Sequence, residues 1–244
     1  MALVPPLEYR IMIKAVFFDL YHTLIHFHPP REEVLAASLD RWGIANDIGD
    51  LKRAIVAGDE FFYQENASKN QRRRTEAEAH AFWREYYTVI LKEAGIDPLP
   101  ELVGGVLAGM QGATFERVLF SDVIPALSAL SGYRLIMGVV SNVDQDISPL
   151  LEKLGLSPYL AVILTSRDVG VTKPEPHIFL EAVRRAGVAA ADTLYVGDQY
   201  QIDVLGARGA GLRGLLLDRD LRHPEISAME KINSLGELEK RVRQ

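Results

Sequence analysis

The chain has 244 residues, no cysteine, and 33 acidic against 27 basic side chains, for a net charge of −6; its 48% hydrophobic and 25% charged content is ordinary globular composition. Disulfides, thiolate catalysis and cysteine-ligated zinc are excluded, and the acidic balance argues against a nucleic-acid partner while permitting an anionic small-molecule substrate. No apolar run approaches the roughly 18 residues of a membrane span, and Met1 to Pro6 lacks the basic start and apolar stretch of a secretory leader, so the cytoplasm is the expected compartment.

In chain order, the first predicted element is a buried strand over Ile13 to Phe18 that ends in Asp19. Four helices are expected next, over Glu32 to Trp42, Ile48 to Glu65, Ala77 to Ala94 and Leu99 to Met110, with breaks at Gly43, near Asn66 to Gln71, and at Gly95 to Pro98. Leu51, Ile55 and Phe62, then Phe82, Tyr86, Val89 and Ile90, recur at helical spacing, the pattern of amphipathic helices packed on one another. Beyond Leu119 short apolar runs at Leu135 to Val140, Ala161 to Leu164, Leu194 to Val196 and Leu215 to Leu217 alternate with helical segments. Such alternation predicts right-handed βαβ units and a parallel sheet with both faces covered. The first strand would complete a five-stranded core from residues 1–27 and 119–244, with residues 28–118 inserted as a four-helix lid over its carboxyl edge.

That edge is where open α/β sheets place their chemistry, and four predicted strand ends carry polar residues. Asp19-Leu20-Tyr21-His22-Thr23 follows the first, Ser141-Asn142 the second, Val171-Thr172-Lys173-Pro174 the third, and Gly197-Asp198 with Asp203 the fourth. Asp19 suits a nucleophile that forms a covalent ester; otherwise it is a strand-end Asp capping a turn. Thr23, Ser141 and Asn142 could hydrogen-bond a transferring group, and Lys173 could neutralise charge shared by nucleophile and substrate. Asp198 and Asp203 with Asp19 make an oxygen-rich set suited to Mg²⁺, although Asp203 also fits a helix N-terminal Asp favoured by the macrodipole.

These four motifs, in this order and each after its own strand, resemble those of the haloacid dehalogenase-like hydrolase superfamily, and the resemblance covers nearly the whole chain. It implies a Rossmann-like α/β core with a helical cap of the first-position type, Asp19 as nucleophile, and Mg²⁺ held by Asp19, Asp198 and the main-chain carbonyl of Tyr21, with Asp203 either a ligand or just behind the ligands. One position departs from the pattern. Family phosphatases carry a second Asp where Tyr21 stands, and use it to protonate the leaving oxygen and activate water. A phenol of pKa about 10 is a poor base at neutral pH. In the family's dehalogenases this position is also typically Tyr, because a halide leaves without a proton, but those enzymes usually lack the Gly-Asp pair kept here.

The reading that follows is a Mg²⁺-dependent phosphatase of small phosphorylated metabolites working through an aspartyl phosphate, slowed by Tyr21. The rivals are a metal-free 2-haloacid dehalogenase and a catalytically weak binding protein. Phosphonate hydrolysis would need a Schiff-base lysine from the cap, for which Lys52 and Lys69 are the candidates. His22 has the intrinsic pKa to replace the missing acid/base, His26 with His28 lacks further ligands for zinc, and Arg72 to Arg74 reads as a solvated loop between helices.

Overall fold

A computed structural model describes residues 13–68 and 74–243. The N-terminal tail, Lys69, and Arg72 and Arg73 of the arginine run lie outside the described residues. The chain divides into two compact units, one of residues up to 26 together with 118 onward, the other of residues 27–117.

The first unit is an α/β sandwich around a six-stranded parallel sheet. Its strands are β1 (Ala15–Phe18), β4 (Ile136–Ser141), β5 (Val162–Thr165), β6 (Thr193–Gly197), β7 (Arg213–Leu217) and β8 (Lys231–Ile232), in the order β5-β4-β1-β6-β7-β8. Strand β1 lies at the centre, and its four residues are buried on both sides because alternate side chains enter different cores. Val16 and Phe18 pack with Val139, Val196 and Leu217 against α5 (Val123–Ser131) and α10 (Leu238–Val242). Ala15 and Phe17 pack with Val140, Leu164 and Tyr195 against α8 (Pro176–Ala186). Continuous Val/Ile/Leu/Phe runs with no polar alternation are therefore what the sheet requires, and they made its strands legible.

Two features differ from expectation. The sheet has six strands rather than five, because Lys231 and Ile232 pair with Leu216 and Leu217; two residues are too short to form a sequence pattern. The chain also crosses between units through β2 (Ile25–His28) and β3 (Glu116–Leu119), which pair as a separate two-stranded sheet. The alternation of β2 was hidden by its histidines, and the charged start of β3 resembles a helix end.

The second unit is a bundle of α1 (Arg31–Asp40), α2 (Ile48–Ser68), α3 (Glu76–Glu93) and α4 (Pro100–Gly112). Leu35, Leu39, Leu51, Ile55, Tyr86, Ile90, Leu102, Val106 and Leu107 form its core, while Phe62 and Val89 are half-buried. Helix α3 starts on a reciprocal cap: Thr75 Oγ1 accepts from Glu78 N at 3.3 Å and Glu78 Oε2 accepts from Thr75 N at 2.8 Å. No strand interrupts residues 31–115 among the described residues, and no helix of the structure is long and apolar enough to cross a membrane.

Candidate active site

The parallel register assembles the site. Phe18 pairs with Val139 on one side and Val196 on the other, so Asp19 leaves β1 level with the ends of β4 and β6. Its N–H still donates to Val196 O at 2.9 Å, which keeps the nucleophile candidate on the rigid sheet edge. The chain then turns tightly: Leu24 and Ile25 both donate to Leu20 O, and His22, at φ 59°, donates to Ile25 O. Tyr21, bridged to Ile25, packs its ring against the apolar core. Arg219 holds the same turn, donating to Thr23 O at 2.9 Å while paired in bidentate fashion with Asp122, both contacts at 2.9 Å.

Lys173 is the hub. Only 3% exposed, its ammonium donates to Asp19 Oδ1 at 2.6 Å, to Asp203 Oδ1 at 2.6 Å and to Tyr195 Oη at 2.9 Å, which uses all three of its protons. Its main chain is fixed as well. Asn142 Oδ1 accepts from Lys173 N at 2.7 Å and Asn142 Nδ2 donates to Lys173 O at 2.9 Å. Asn142, expected to contact substrate, thus spends its amide joining the end of β4 to the lysine loop. Ser141 is buried at the end of β4, beside the first motif.

Gly197 and Asp203 explain each other. A Cβ on Gly197 would lie 2.3 Å from Asp203 Cγ, so only glycine lets that carboxylate reach the strand end. Asp203 sits on a π-helical turn, Tyr200–Leu205, of the kind that often marks functional sites, and its Oδ2 accepts from Gln199 N at 3.1 Å. Thr23 Oγ1 makes a long contact of 3.5 Å with Asp198 Oδ1.

Electrostatically the cluster is overloaded with negative charge. Burial pushes the Asp19 carboxyl up from 3.8 to about 6, Lys173 pulling it back down and Asp203 adding to the rise. Asp198 is driven well above the carboxylate range by burial and by the charges of Asp203 and Asp19. Burial opposes the charge on Lys173, yet Asp19 and Asp203 outweigh it and hold the ammonium firmly protonated.

One ligand oxygen from each of Asp19, Asp198 and Asp203 can be chosen so that all lie within 4.8 Å of one another. Octahedral Mg²⁺ with bonds of about 2.1 Å needs oxygens roughly 3 to 4 Å apart, so a small adjustment of side chains fits the ion, and three hard carboxylates suit it chemically. A divalent cation would offset both the burial and the like-charge repulsion that raise Asp19 and Asp198.

Among the sequence-predicted residues, Asp19, Lys173 and Asp203 are in direct contact, with Asp198 beside the other two carboxylates and Thr23 at its edge. His26 packs against Phe120 at 4.7 Å between ring centroids, with the rings tilted by 39°. Sequence alone does not mark Tyr195 or Arg219. A tyrosine inside an otherwise aliphatic strand was the available signal for the first; for the second there was none.

A family model described as haloacid dehalogenase-like hydrolase matches residues 13–211. Haloacid dehalogenase-like hydrolase domain-containing protein 3 of Danio rerio is 38% identical over 239 residues, spanning 96% of this chain and 98% of that protein. The glyceraldehyde 3-phosphate phosphatase of Methanopyrus kandleri is 30% identical over 203 residues, 82% of each chain. Among solved structures, the 2-haloacid dehalogenase of Pseudomonas syringae pv. Tomato superposes with a TM-score of 0.56 at 26% identity, covering 95% of this chain and 99% of that one.

Proposed function

The chain belongs to the haloacid dehalogenase-like hydrolases, and from that premise we propose that it is a Mg²⁺-dependent phosphatase of small phosphorylated metabolites, with Asp19 as nucleophile. The observation that carries this reading is the imbalance at the site: three carboxylates offer oxygens within 4.8 Å of one another, and two of them share a single ammonium that is itself saturated. Such an arrangement calls for a further cation, and Asp198 is placed to help hold it.

Asp19 attacks the phosphorus of the substrate, forming a carboxyl–phosphoryl bond while the bond to the ester oxygen breaks; water then attacks the same phosphorus and releases phosphate and free Asp19. Lys173 fixes the rotation of the Asp19 carboxylate through the 2.6 Å bond to Oδ1 and balances part of the charge that develops on transfer. Ser141 and Thr23 offer hydroxyls to the phosphoryl oxygens. Mg²⁺, when held by Asp19, Asp198, Asp203 and the Tyr21 carbonyl, supplies positive charge that offsets repulsion between the nucleophile and an incoming phosphate. Tyr21 can donate a hydrogen bond to the leaving oxygen, but it is a poor base for the hydrolytic step, so turnover is slow.

The dehalogenase reading keeps one specific support, Tyr21 itself, together with the 26% identity to a 2-haloacid dehalogenase. A single screen separates the two: phosphate esters and short 2-halo acids, each with Mg²⁺ and with chelator, on wild type and Asp19→Asn. Chelator-sensitive release of phosphate that disappears in Asp19→Asn supports the phosphatase. Halide release that ignores chelator, with no phosphate released from any ester, overturns it.

A further inference from the structure

We propose that Tyr195 is a positioning residue, whose hydroxyl holds the Lys173 ammonium against Asp19 and Asp203 and ties three motif-bearing strands into one rigid unit. The kinetic half of this inference rests on the hydrolase reading; the geometric half does not.

The argument is one of hydrogen-bond accounting. Tyr195 is fully buried in β6, and its ring packs edge-on against Phe179 at 5.0 Å between centroids. A phenylalanine would fill that space equally well, and a bare hydroxyl there would be costly to bury. Instead the hydroxyl has both its roles filled. It donates to Val140 O at 2.8 Å and accepts from Lys173 Nζ at 2.9 Å. Val140 is the residue before Ser141 in β4, Lys173 stands in the loop after β5, and Tyr195 stands two residues before Gly197 in β6. One oxygen therefore links the strand end that carries the buried serine, the lysine loop and the strand that leads to the metal-binding carboxylates.

Without that hydroxyl the ammonium would keep two acceptors for three protons. Among the described residues, Asp19, Asp203 and Tyr195 are the acceptors that fix its rotation about the Cε–Nζ bond. Lysine is a flexible point charge on a four-carbon stem, so a third fixed acceptor is what converts it into a directed donor. Its backbone is already clamped by Asn142, and Tyr195 completes the restraint at the other end of the side chain.

The test uses the full chain with ¹⁵N-labelled lysine. In wild type the Lys173 ammonium, assigned by its absence in Lys173→Met, gives a resonance protected from solvent exchange. In Tyr195→Phe that exchange accelerates at least about 10-fold, as expected when a buried donor loses its partner. With p-nitrophenyl phosphate and Mg²⁺, kcat in Tyr195→Phe falls about 10-fold while KM and the affinity for Mg²⁺ alone stay within about 2-fold, the signature of a misdirected rather than missing group. Site-specific 3-fluorotyrosine at 195 keeps the ring packing and weakens the acceptor oxygen, so it shifts exchange and kcat the same way by less, and it replaces the Phe variant if that one fails to fold. Unchanged exchange overturns the proposal whatever the activity does. Faster exchange with unchanged kcat overturns it as well, since the hydroxyl would then hold the ammonium without positioning it for the reaction. If wild type and Asp19→Asn are equally inactive on p-nitrophenyl phosphate, the phosphatase reading fails with that substrate, and the exchange measurement alone decides whether Tyr195 holds Lys173.

Discussion

The two units of this chain each set a cation among tyrosine and aspartate, half-buried in one and buried in the other, and they balance it differently. In the helical unit Arg31 meets Asp59 through two hydrogen bonds, 2.9 Å to Oδ1 and 2.6 Å to Oδ2, and Tyr86 Oη donates to Asp59 Oδ1 at 2.8 Å. The guanidinium is paired with a carboxylate, and Asp59 outweighs burial so that Arg31 stays firmly charged. In the α/β unit one ammonium faces Asp19, Asp198 and Asp203, and two of those carboxyls are pushed upward. The lysine cluster is the drier of the two, with Lys173 3% exposed against 20% for the Arg31 side chain, but burial alone does not single out a site. The excess of negative charge marks the site, because a fold does not gather three carboxylates around one lysine for stability alone.

Removing one carboxylate from each cluster should therefore have opposite consequences. Asp19→Asn is expected to lower phosphate-ester turnover by at least about 10⁴-fold, since the nucleophile is gone. In chelator it should melt no lower than wild type, because it relieves like-charge crowding. Asp59→Asn should leave Mg²⁺ affinity alone and cost about 2–3 kcal/mol of stability, having left Arg31 half-buried without its counter-ion. Thermal melts of both variants in chelator check this; a loss in Asp19→Asn as large as that in Asp59→Asn would erase the distinction drawn between the clusters.

Tyr21→Asp sharpens the comparison from inside the site. A positioned general acid/base contributes about 10²–10⁴-fold, so a phosphatase that lacks only this group should gain turnover in the lower part of that range. The variant adds a fourth carboxylate next to an already crowded set, and Mg²⁺ should bind it no more weakly than wild type. A fall in phosphatase activity together with a fall in any halide release would show that the pocket is built around Tyr21 instead. Rapid wild-type turnover that survives Tyr21→Phe would assign the proton to another group, His22 first.

Sequence and structure agree where a single strand or helix decides the outcome. Asp19 and Asp198 are legible because each follows an apolar strand directly or through a glycine, and register brings them to one edge; Lys173 and Asp203 are legible only from their place in a motif, on a loop and on a helical turn. The elements that escaped are those whose pairing is not local. Strand β8 is two residues long and exists only because β7 offers its edge, while β2 and β3 are defined by each other across the whole helical insertion. Tyr195 escaped for a related reason: that its hydroxyl reaches Lys173 and Val140 depends on three separate strands, which no spacing along the chain records. Asn142 was found but given a different task, since only the fold shows that its amide is occupied by the lysine loop.

The smallest expected effect is also the one that tests the charge imbalance most directly. Burial raises the Asp19 carboxyl to about 6 from 3.8, so the folded protein binds that proton more tightly than the unfolded chain does. On this group's account, the metal-free protein loses stability as pH rises from about 4 to about 6, the reverse of a salt-bridged aspartate, and Asp198 adds to the trend in the same direction. Mg²⁺ binds the ionised carboxylates, so its stabilising effect should be full above about pH 7 and fade as protons compete below about 6. Melting temperature measured from pH 4.5 to 8, with Mg²⁺ and with chelator, should give two curves that converge at the acid end and separate by a few degrees at the alkaline end for a domain of this size. In Asp19→Asn the separation should shrink at every pH. Parallel curves for wild type, or a separation that survives Asp19→Asn intact, would place the cation elsewhere and leave the three carboxylates without the partner their charge demands.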